Sequence, residues 1–163
     1  TGTDLELTPI GSTYIITRIR ELQNEGESVP VAGEGNGGIL FPAYRLARDG
    51  AYTAASFLEL LADQTASEAV ADYGGYVNVR RNVEYDSDAE REALLAAIES
   101  YAEAADAEPT TTDGYRLDYG DAWVLARPSG TEPVVRIYAE ARDRDRAESL
   151  VEDIHDRLLA ALE

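Results

Sequence analysis

From Tyr76 to the C-terminus the hydrophobic period switches between two and 3.6 residues, and the order of switching narrows the fold more than any other feature. "YVNVRRNVEY" alternates as a strand. "SDAEREALLAAIESYAEAA" follows as a helix, with Leu94, Ile98, Tyr101 and Ala105 along one side and Ser87 and Glu90 spaced as a capping box. "EPTTTDG" reads as a loop. "YRLDYGDAWVLA" and "VVRIYAEA" alternate again, with a turn near Tyr119-Gly120-Asp121. A last helix from about Asp145 carries Ala147, Leu150, Val151, Ile154, Leu158 and Leu162 on one face. Strand, helix, strands, helix predicts an α+β layer: a small, mainly antiparallel sheet with two helices on one face.

The first half reads differently. "GSTYIITRIRELQNEG" has helical spacing at Ile15, Ile16, Ile19 and Leu22, with Ser12 placed to cap its start and Gly26 to end it. "SVPVAG" is a short strand that runs into the glycine-rich "GEGNGG". "ILFPAYRLARDG" reads as a strand and a turn, "AYTAASFLELLADQT" as a helix and "SEAVADY" as a shorter one. This α/β half is too slight to be complete. The boundary is expected between Asp72 and Tyr76, giving domains 1–73 and 74–163. With no methionine at its start, the chain is expected to be a piece of a longer or processed protein.

The charge excludes several partners. Acidic residues number 32 against 14 basic ones, a formal net charge of -18. All the basic residues are arginine. Such a surface opposes nucleic acid and anionic lipid, which are held by cation-phosphate attraction. Acid-rich, lysine-free composition is similar to that of proteins from salt-loving archaea. At ~1 M salt the screening length falls to ~3 Å, so close arginine contacts to an anion survive. There is no cysteine, hence no disulfide and no thiolate metal site. Nothing resembles a signal peptide, and no apolar run approaches the ~20 residues that span a bilayer. The expected location is the cytoplasm.

Against that charge, "ARPSGTEPVVRIYAEA" places Arg127, Ser129, Gly130 and Thr131 around one tight bend, with Arg136 on the outgoing strand. An arginine fork, hydroxyls and backbone N–H groups are what a phosphate needs. Glycine can take positive φ and build an anion nest, while Pro128 and Pro133 stiffen the two arms. Val135, Ile137 and Ala139 take one face of the strand, leaving Arg136 the other. The same residues also suit a polar strand connection with a capping serine and solvated arginines.

In "AGEGNGG", Glu34 and Asn36 sit on a loop made almost wholly of glycine. Its spacing fails the dinucleotide fingerprint. A carboxylate beside an amide suits vicinal hydroxyls; a flexible turn with one exposed acid is the plainer alternative. His155, the only histidine, falls beside apolar helix positions and reads as a partly buried helix residue. Trp123 and the ten tyrosines read as core and strand packing.

Together these loops resemble the α-D-phosphohexomutases, the family of phosphoglucomutase, phosphomannomutase and phosphoglucosamine mutase. "RPSGTEPVVRIYAEA" is similar to the phosphate loop of that family's C-terminal fourth domain. "GEGNGG" is similar to the sugar-binding loop of its third domain, commonly Gly-Glu-x-Ser-Gly. "TPIGSTYI" resembles the Thr-x-Val-Gly segment before a helix of that domain. "FPAYRLARDGAYTAASFLELLA" and "DGYRLDYGDAWVLARPSGTEP" resemble the stretches after the sugar loop and before the phosphate loop. The resemblance implies the end of the mixed α/β domain three followed by domain four.

It also implies roles. Arg127, Ser129, Gly130 and Thr131 would grip the phosphate at the non-reacting end of a hexose phosphate, with Arg136 in addition. Glu34 and Asn36 would hold ring hydroxyls, and Gly37 would belong to the same sugar-binding loop. Thr8 and Gly11 would border the cleft. For Arg48 and Asp49 the resemblance gives the cleft edge, and a salt bridge or a turn closure serves equally well. The family interconverts hexose 1-phosphates and 6-phosphates through a bisphosphate, using a phosphoserine and Mg2+. Neither a Ser-His-Asn-Pro loop nor an Asp-x-Asp-Gly-Asp run occurs here. Catalytic serine and metal ligands are therefore expected in upstream domains of the same protein, and the chain alone is expected to be inactive. Asn36 replaces a frequent serine and tilts the reading toward an amino sugar; Gly38 stands where histidine is frequent. The alternative of another class is a non-catalytic anion-binding or interaction module.

Overall fold

The computed structural model describes residues 4–35 and 37–163. The chain divides into two compact units, Thr1–Gly74 and Gly75–Glu163.

The second unit is built on a five-stranded antiparallel sheet. Its strands are β3 (Val77–Glu84), β4 (Pro109–Thr110), β5 (Tyr115–Asp118), β6 (Ala122–Pro128) and β7 (Val134–Ala141), in the order β3-β7-β6-β5-β4. Two helices, α4 (Asp88–Ala104) and α5 (Arg144–Ala160), pack on one face, as the alternation and the helical spacing predict. Val79, Val83, Leu117, Val124, Ala126, Val135, Ile137 and Ala139 meet Leu94 and Ile98 of α4 and Leu150, Val151, Ile154 and Leu158 of α5 in one core. Arg136 lies on the opposite, helix-free face, because Val135 and Ile137 on either side of it are buried.

Trp123 is also on that face. It stacks under Arg116 at 5.1 Å and donates to Glu140 at 3.3 Å, so strand neighbours pack it rather than the core. Tyr101 packs against the core from α4, and burial pushes its hydroxyl up to about 12. His155 is partly buried on α5, as its position beside the apolar stripe suggested.

Details differ from the expectation. "EPTTTDG" contains strand β4, which pairs with Leu117 and Arg116; a two-residue edge strand leaves no periodic signal, and an edge tolerates proline. The Ser87 hydroxyl accepts from the Glu90 N–H at 3.2 Å, but the Glu90 carboxylate reaches back to the Asp86 N–H at 2.7 Å rather than to Ser87. Half the capping box is thus present. Replacing Ser87 by Ala is expected to cost about 1 kcal/mol in chemical denaturation, because one N–H at the start of a 17-residue helix loses its acceptor; a change below the error of the measurement would show the cap to be idle.

The first unit holds α1 (Ser12–Asn24), the two-residue strands β1 (Ala32–Gly33) and β2 (Ile39–Leu40), α2 (Gly50–Leu60), α3 (Ala66–Val70) and a short 3-10 turn. Ser12 is not the cap of α1. Gly11, at φ 126°, holds that position, and its carbonyl accepts from Tyr14 and Ile15. Gly26 closes the helix at φ 91° while Glu27 bonds back to Leu22 at 2.9 Å. The stretch "SVPVAG" yields only the two residues of β1 as strand. Helix α2 stops at Leu60, and Thr65 starts α3 with a full reciprocal capping box to Glu68. Among the described residues the buried apolar core of this unit is Ile15, Ile19 and Leu40. No described helix is long and apolar enough to cross a membrane.

Candidate functional site

The bend of the second unit joins β6 to β7 through residues 129–133. Ser129 N–H donates to the Val134 carbonyl and Val134 N–H to the Glu132 carbonyl, both at 2.8 Å. The Ser129 hydroxyl accepts from the N–H groups of Thr131 and Glu132 at 3.4 and 3.3 Å. The bend is thereby tied internally, which lowers the ordering cost of binding anything there. The expected glycine nest is absent. Gly130 does not occupy the left-handed region, and a Cβ on it would meet nothing within 4 Å. Its contribution is open space beside Ser129 and Thr131, not a special backbone angle.

Arg127 and Arg136 stand directly opposite each other in the β6–β7 register. Opposite residues of an antiparallel pair share a face, so both guanidiniums rise from the helix-free side at the foot of the bend. Their surroundings differ. Arg127 is only 6% exposed, a charged residue buried as a whole. Its Nε lies 3.7 Å from an Asp113 carboxylate oxygen and its Nη1 donates to the Pro128 carbonyl at 3.4 Å. Arg136 is half-buried and donates to the Glu132 carboxylate; that bond raises its proton affinity above the ordinary guanidinium value. Arg127, Arg136, Ser129 and Thr131 are therefore gathered on one hairpin, with Asp113 and Glu132 as carboxylate partners of the two arginines.

Asp113, Gly114 and Glu132 were not among the expected site residues. Gly114 sits at φ 79°, and a Cβ on it would lie 2.4 Å from the Ala126 carbonyl oxygen and 2.5 Å from Arg127 Cβ. The Asp-Gly pair ahead of a strand was the available signal, but it reads as an ordinary turn without the neighbouring strand in view.

In the first unit the glycine loop connects β1 to β2. Glu34 N–H donates to the Gly38 carbonyl at 2.9 Å and Gly37 N–H to the Glu34 carbonyl at 3.0 Å, with Gly37 at φ 90°. The Glu34 side chain is 8% exposed and pairs with Arg48 at 3.2 Å. Arg48 lies close over Gly38: a Cβ on Gly38 would fall 2.4 Å from Arg48 Cδ. The space that a side chain at 38 would take is filled by the arginine stem. Asn36 lies outside the described residues.

Asp49 caps α2, accepting from Tyr52 N–H at 3.0 Å, and also pairs with Arg45 at 3.2 Å. The backbone bond from Tyr52 is the main reason its carboxyl stays below the usual carboxylate range. Salt bridge and turn closure are thus both realised at Arg48 and Asp49. They also line a shallow cleft of about 300 Å³ with Gly37, Gly38, Thr53 and Phe57. Thr8 donates to the Pro9 carbonyl at 3.1 Å, and Gly11 serves as the α1 cap.

The only metal-like group among the described residues is Glu152, His155 and Asp156 on α5. It does not fit magnesium, which takes oxygen ligands in octahedral geometry. Here an imidazole nitrogen stands 3.8 and 3.7 Å from the two carboxylates, one of them fully on the surface.

A family model described as "Phosphoglucomutase/phosphomannomutase, C-terminal domain" matches residues 76–157, and one described as "alpha/beta/alpha domain III" of the same family matches residues 1–76. A phosphoglucomutase/phosphomannomutase from Thermococcus kodakarensis is 35% identical over 155 residues, covering 93% of this chain and 32% of the relative. A probable phosphoglucosamine mutase from Methanocella arvoryzae is 34% identical over 150 residues, covering 91% and 33%. The crystal structure of a phosphoglucomutase/phosphomannomutase family protein from Burkholderia thailandensis superposes with a TM-score of 0.72 at 28% identity, covering 94% of this chain and 32% of that one. The chain thus spans about a third of the length of these relatives. Two consecutive domain matches that between them reach from residue 1 to residue 157 show that the chain belongs to the phosphoglucomutase/phosphomannomutase family.

Proposed function

We propose that this chain is the substrate-holding C-terminal part of a phosphohexomutase that interconverts hexose 1-phosphate and hexose 6-phosphate through a bisphosphate. The observation that carries the reading is the pairing of Arg127 with Arg136 across one register position, beneath a bend that carries Ser129 and Thr131. In a chain of net charge -18, two guanidiniums beside two hydroxyls on one hairpin are the natural cradle for a phosphate ester. Glu34, held by Arg48 on its hairpin with Gly37, offers acceptors for ring hydroxyls, and Asn36 adds an amide to the same loop. Thr8 and Gly11 form the edge of the sugar side.

A mutase must hold its substrate in two orientations. A clamp that reads only the phosphate serves both, and hydroxyl contacts fix the distance to the reacting end. The nucleophilic serine and the magnesium that neutralises charge during transfer belong to upstream domains of the same protein, so the chain by itself is inactive. Phosphorylated sugars and an acid-rich, lysine-free surface fit a cytoplasm, and a salty one. An amino sugar is the second reading for the hexose. Asn36 favours it, and a 34% identical relative bears the name probable phosphoglucosamine mutase.

The test is calorimetric titration of the 163-residue chain with glucose 1-phosphate, mannose 1-phosphate, glucosamine 6-phosphate and unphosphorylated glucose. Binding of the phosphates and not of glucose is expected, with the tightest of the three identifying the hexose. Equal or absent binding across the series would remove the reading.

A further inference from the structure

We infer that Asp113, delivered by the glycine crossing at Gly114, is a positioning residue that sets the guanidinium of Arg127 for its anion; the inference rests on the reading of the bend as a phosphate clamp. A charged side chain as enclosed as Arg127 is costly unless its charge is balanced and its donors are used. The guanidinium is planar, so two anchors on different nitrogens fix its plane. Asp113 faces Nε at 3.7 Å, and the Pro128 carbonyl takes Nη1 at 3.4 Å. The first contact is longer than a good hydrogen bond and acts mainly as charge against charge.

The backbone explains why the carboxylate is there. β5 begins at Tyr115, opposite Ala126. Immediately before it, Gly114 passes over Arg127 so closely that a Cβ would overlap the Ala126 carbonyl and Arg127 itself. That crossing leaves Asp113 beside the guanidinium. The aspartate is therefore placed by main chain rather than by a flexible arm. Asp113 is also more exposed than its partner, at 32% against 7% for the two side chains. It keeps part of its hydration while the arginine does not.

The sign of one substitution separates positioning from simple charge balance. A carboxylate beside an anion site repels a phosphate ester. If Asp113 acted only through its charge, Asp113→Asn would tighten binding. If it orients Arg127, the same change weakens binding although it removes a negative charge. We expect Asp113→Asn to weaken binding of both glucosamine 6-phosphate and inorganic phosphate by about tenfold, the scale of one net hydrogen bond. Asp113→Glu, which keeps the charge and moves it by a methylene, is expected to fall between Asn and wild type.

A readout without ligand accompanies the titration. The Arg127 Nε–H resonance in a nitrogen-15 spectrum is expected to be sharp and slow to exchange in the wild type, and broadened in both variants. Tighter binding in Asp113→Asn, wild-type affinity in both variants, or an unchanged Arg127 resonance overturns the inference. If Arg127→Ala abolishes binding while Asp113→Asn does not weaken it, the clamp stands and Asp113 has no positioning role. If the wild type binds no phosphate, the clamp and the inference fall together.

Discussion

Arg127→Ala is expected to weaken binding of a hexose phosphate by about a hundredfold, or about 2.7 kcal/mol. A charge-assisted hydrogen bond contributes about 1.5–3 kcal/mol, and a bidentate arginine supplies two in one geometry. The low exposure of Arg127 raises its share, because water competes poorly for an anion docked against an enclosed guanidinium. Arg136 has less to lose. It is more open and already engages Glu132, so an incoming phosphate must displace a carboxylate to use it. The expected order is therefore Arg127→Ala well above Arg136→Ala.

Arg127→Lys separates fork from charge. Lysine keeps the cation but cannot present two parallel donors, so it is expected to recover less than half of the lost binding energy. Calorimetry should be run at fixed salt and repeated near 1 M, where a screening length of ~3 Å removes distant repulsion but leaves contact bonds. A loss of less than about threefold for Arg127→Ala would show that the bend is not the phosphate clamp. Folding is a separable matter. The arginine is the buried member of its pair, and the Asp113 side chain facing it is 32% exposed, so water can solvate the carboxylate once the arginine is removed.

The hairpin that carries these residues was legible because each of its parts has a local cause. Alternation at Val135, Ile137 and Ala139 assigns Arg136 to the other face, and the burial of β7 follows it from Val135 to Ala141, while Val134 at the start of the strand is buried as well. Helix α5 was legible from its apolar spacing: Ala147, Leu150, Val151, Ile154 and Leu158 of the predicted stripe are its buried residues, whereas Leu162 lies beyond the end of the helix at Ala160 and is only partly buried. Other features depend on neighbours distant in sequence. Strand β4 exists because β5 offers it a partner, not because Pro109 and Thr110 favour one. Ser12 has the chemistry of a cap, yet Gly11 takes the position because the chain arrives at an angle that only glycine tolerates. At the bend the residues were legible and their arrangement was not. The glycine is open space rather than a nest, and the arginines carry carboxylate partners supplied by Asp113, 14 residues upstream of Arg127, and by Glu132 within the bend itself. Gly38 is similar: a sequence shows a missing side chain, while the fold shows that Arg48 occupies its place.

Gly114→Ala is the substitution expected to damage folding most, by about 2–6 kcal/mol. Two costs combine. A non-glycine residue at φ 79° carries about 1–3 kcal/mol of backbone strain. The new Cβ would also stand 2.4 Å from the Ala126 carbonyl oxygen, 2.5 Å from Arg127 Cβ and 2.9 Å from Arg127 Cα. None of these can rotate aside, since all belong to the main chain of β6 or are fixed to it, so relief requires parting β5 from β6 and adds about 1–3 kcal/mol of overpacking. For a unit of this size, 1 kcal/mol moves the thermal midpoint by about 4–8 °C, so a fall of at least about 8 °C is expected. Gly130→Ala is the matched control. It lies in the bend between β6 and β7, outside the left-handed region and with nothing within 4 Å of its Cβ, and should change stability by less than about 0.5 kcal/mol. If Gly114→Ala melts with the wild type, β5 does not cross Arg127 as closely as described, and the main-chain delivery of Asp113 loses its basis. If it is destabilised as expected yet still folds at low temperature, its phosphate affinity should fall in parallel with that of Asp113→Asn, because both changes loosen the same guanidinium.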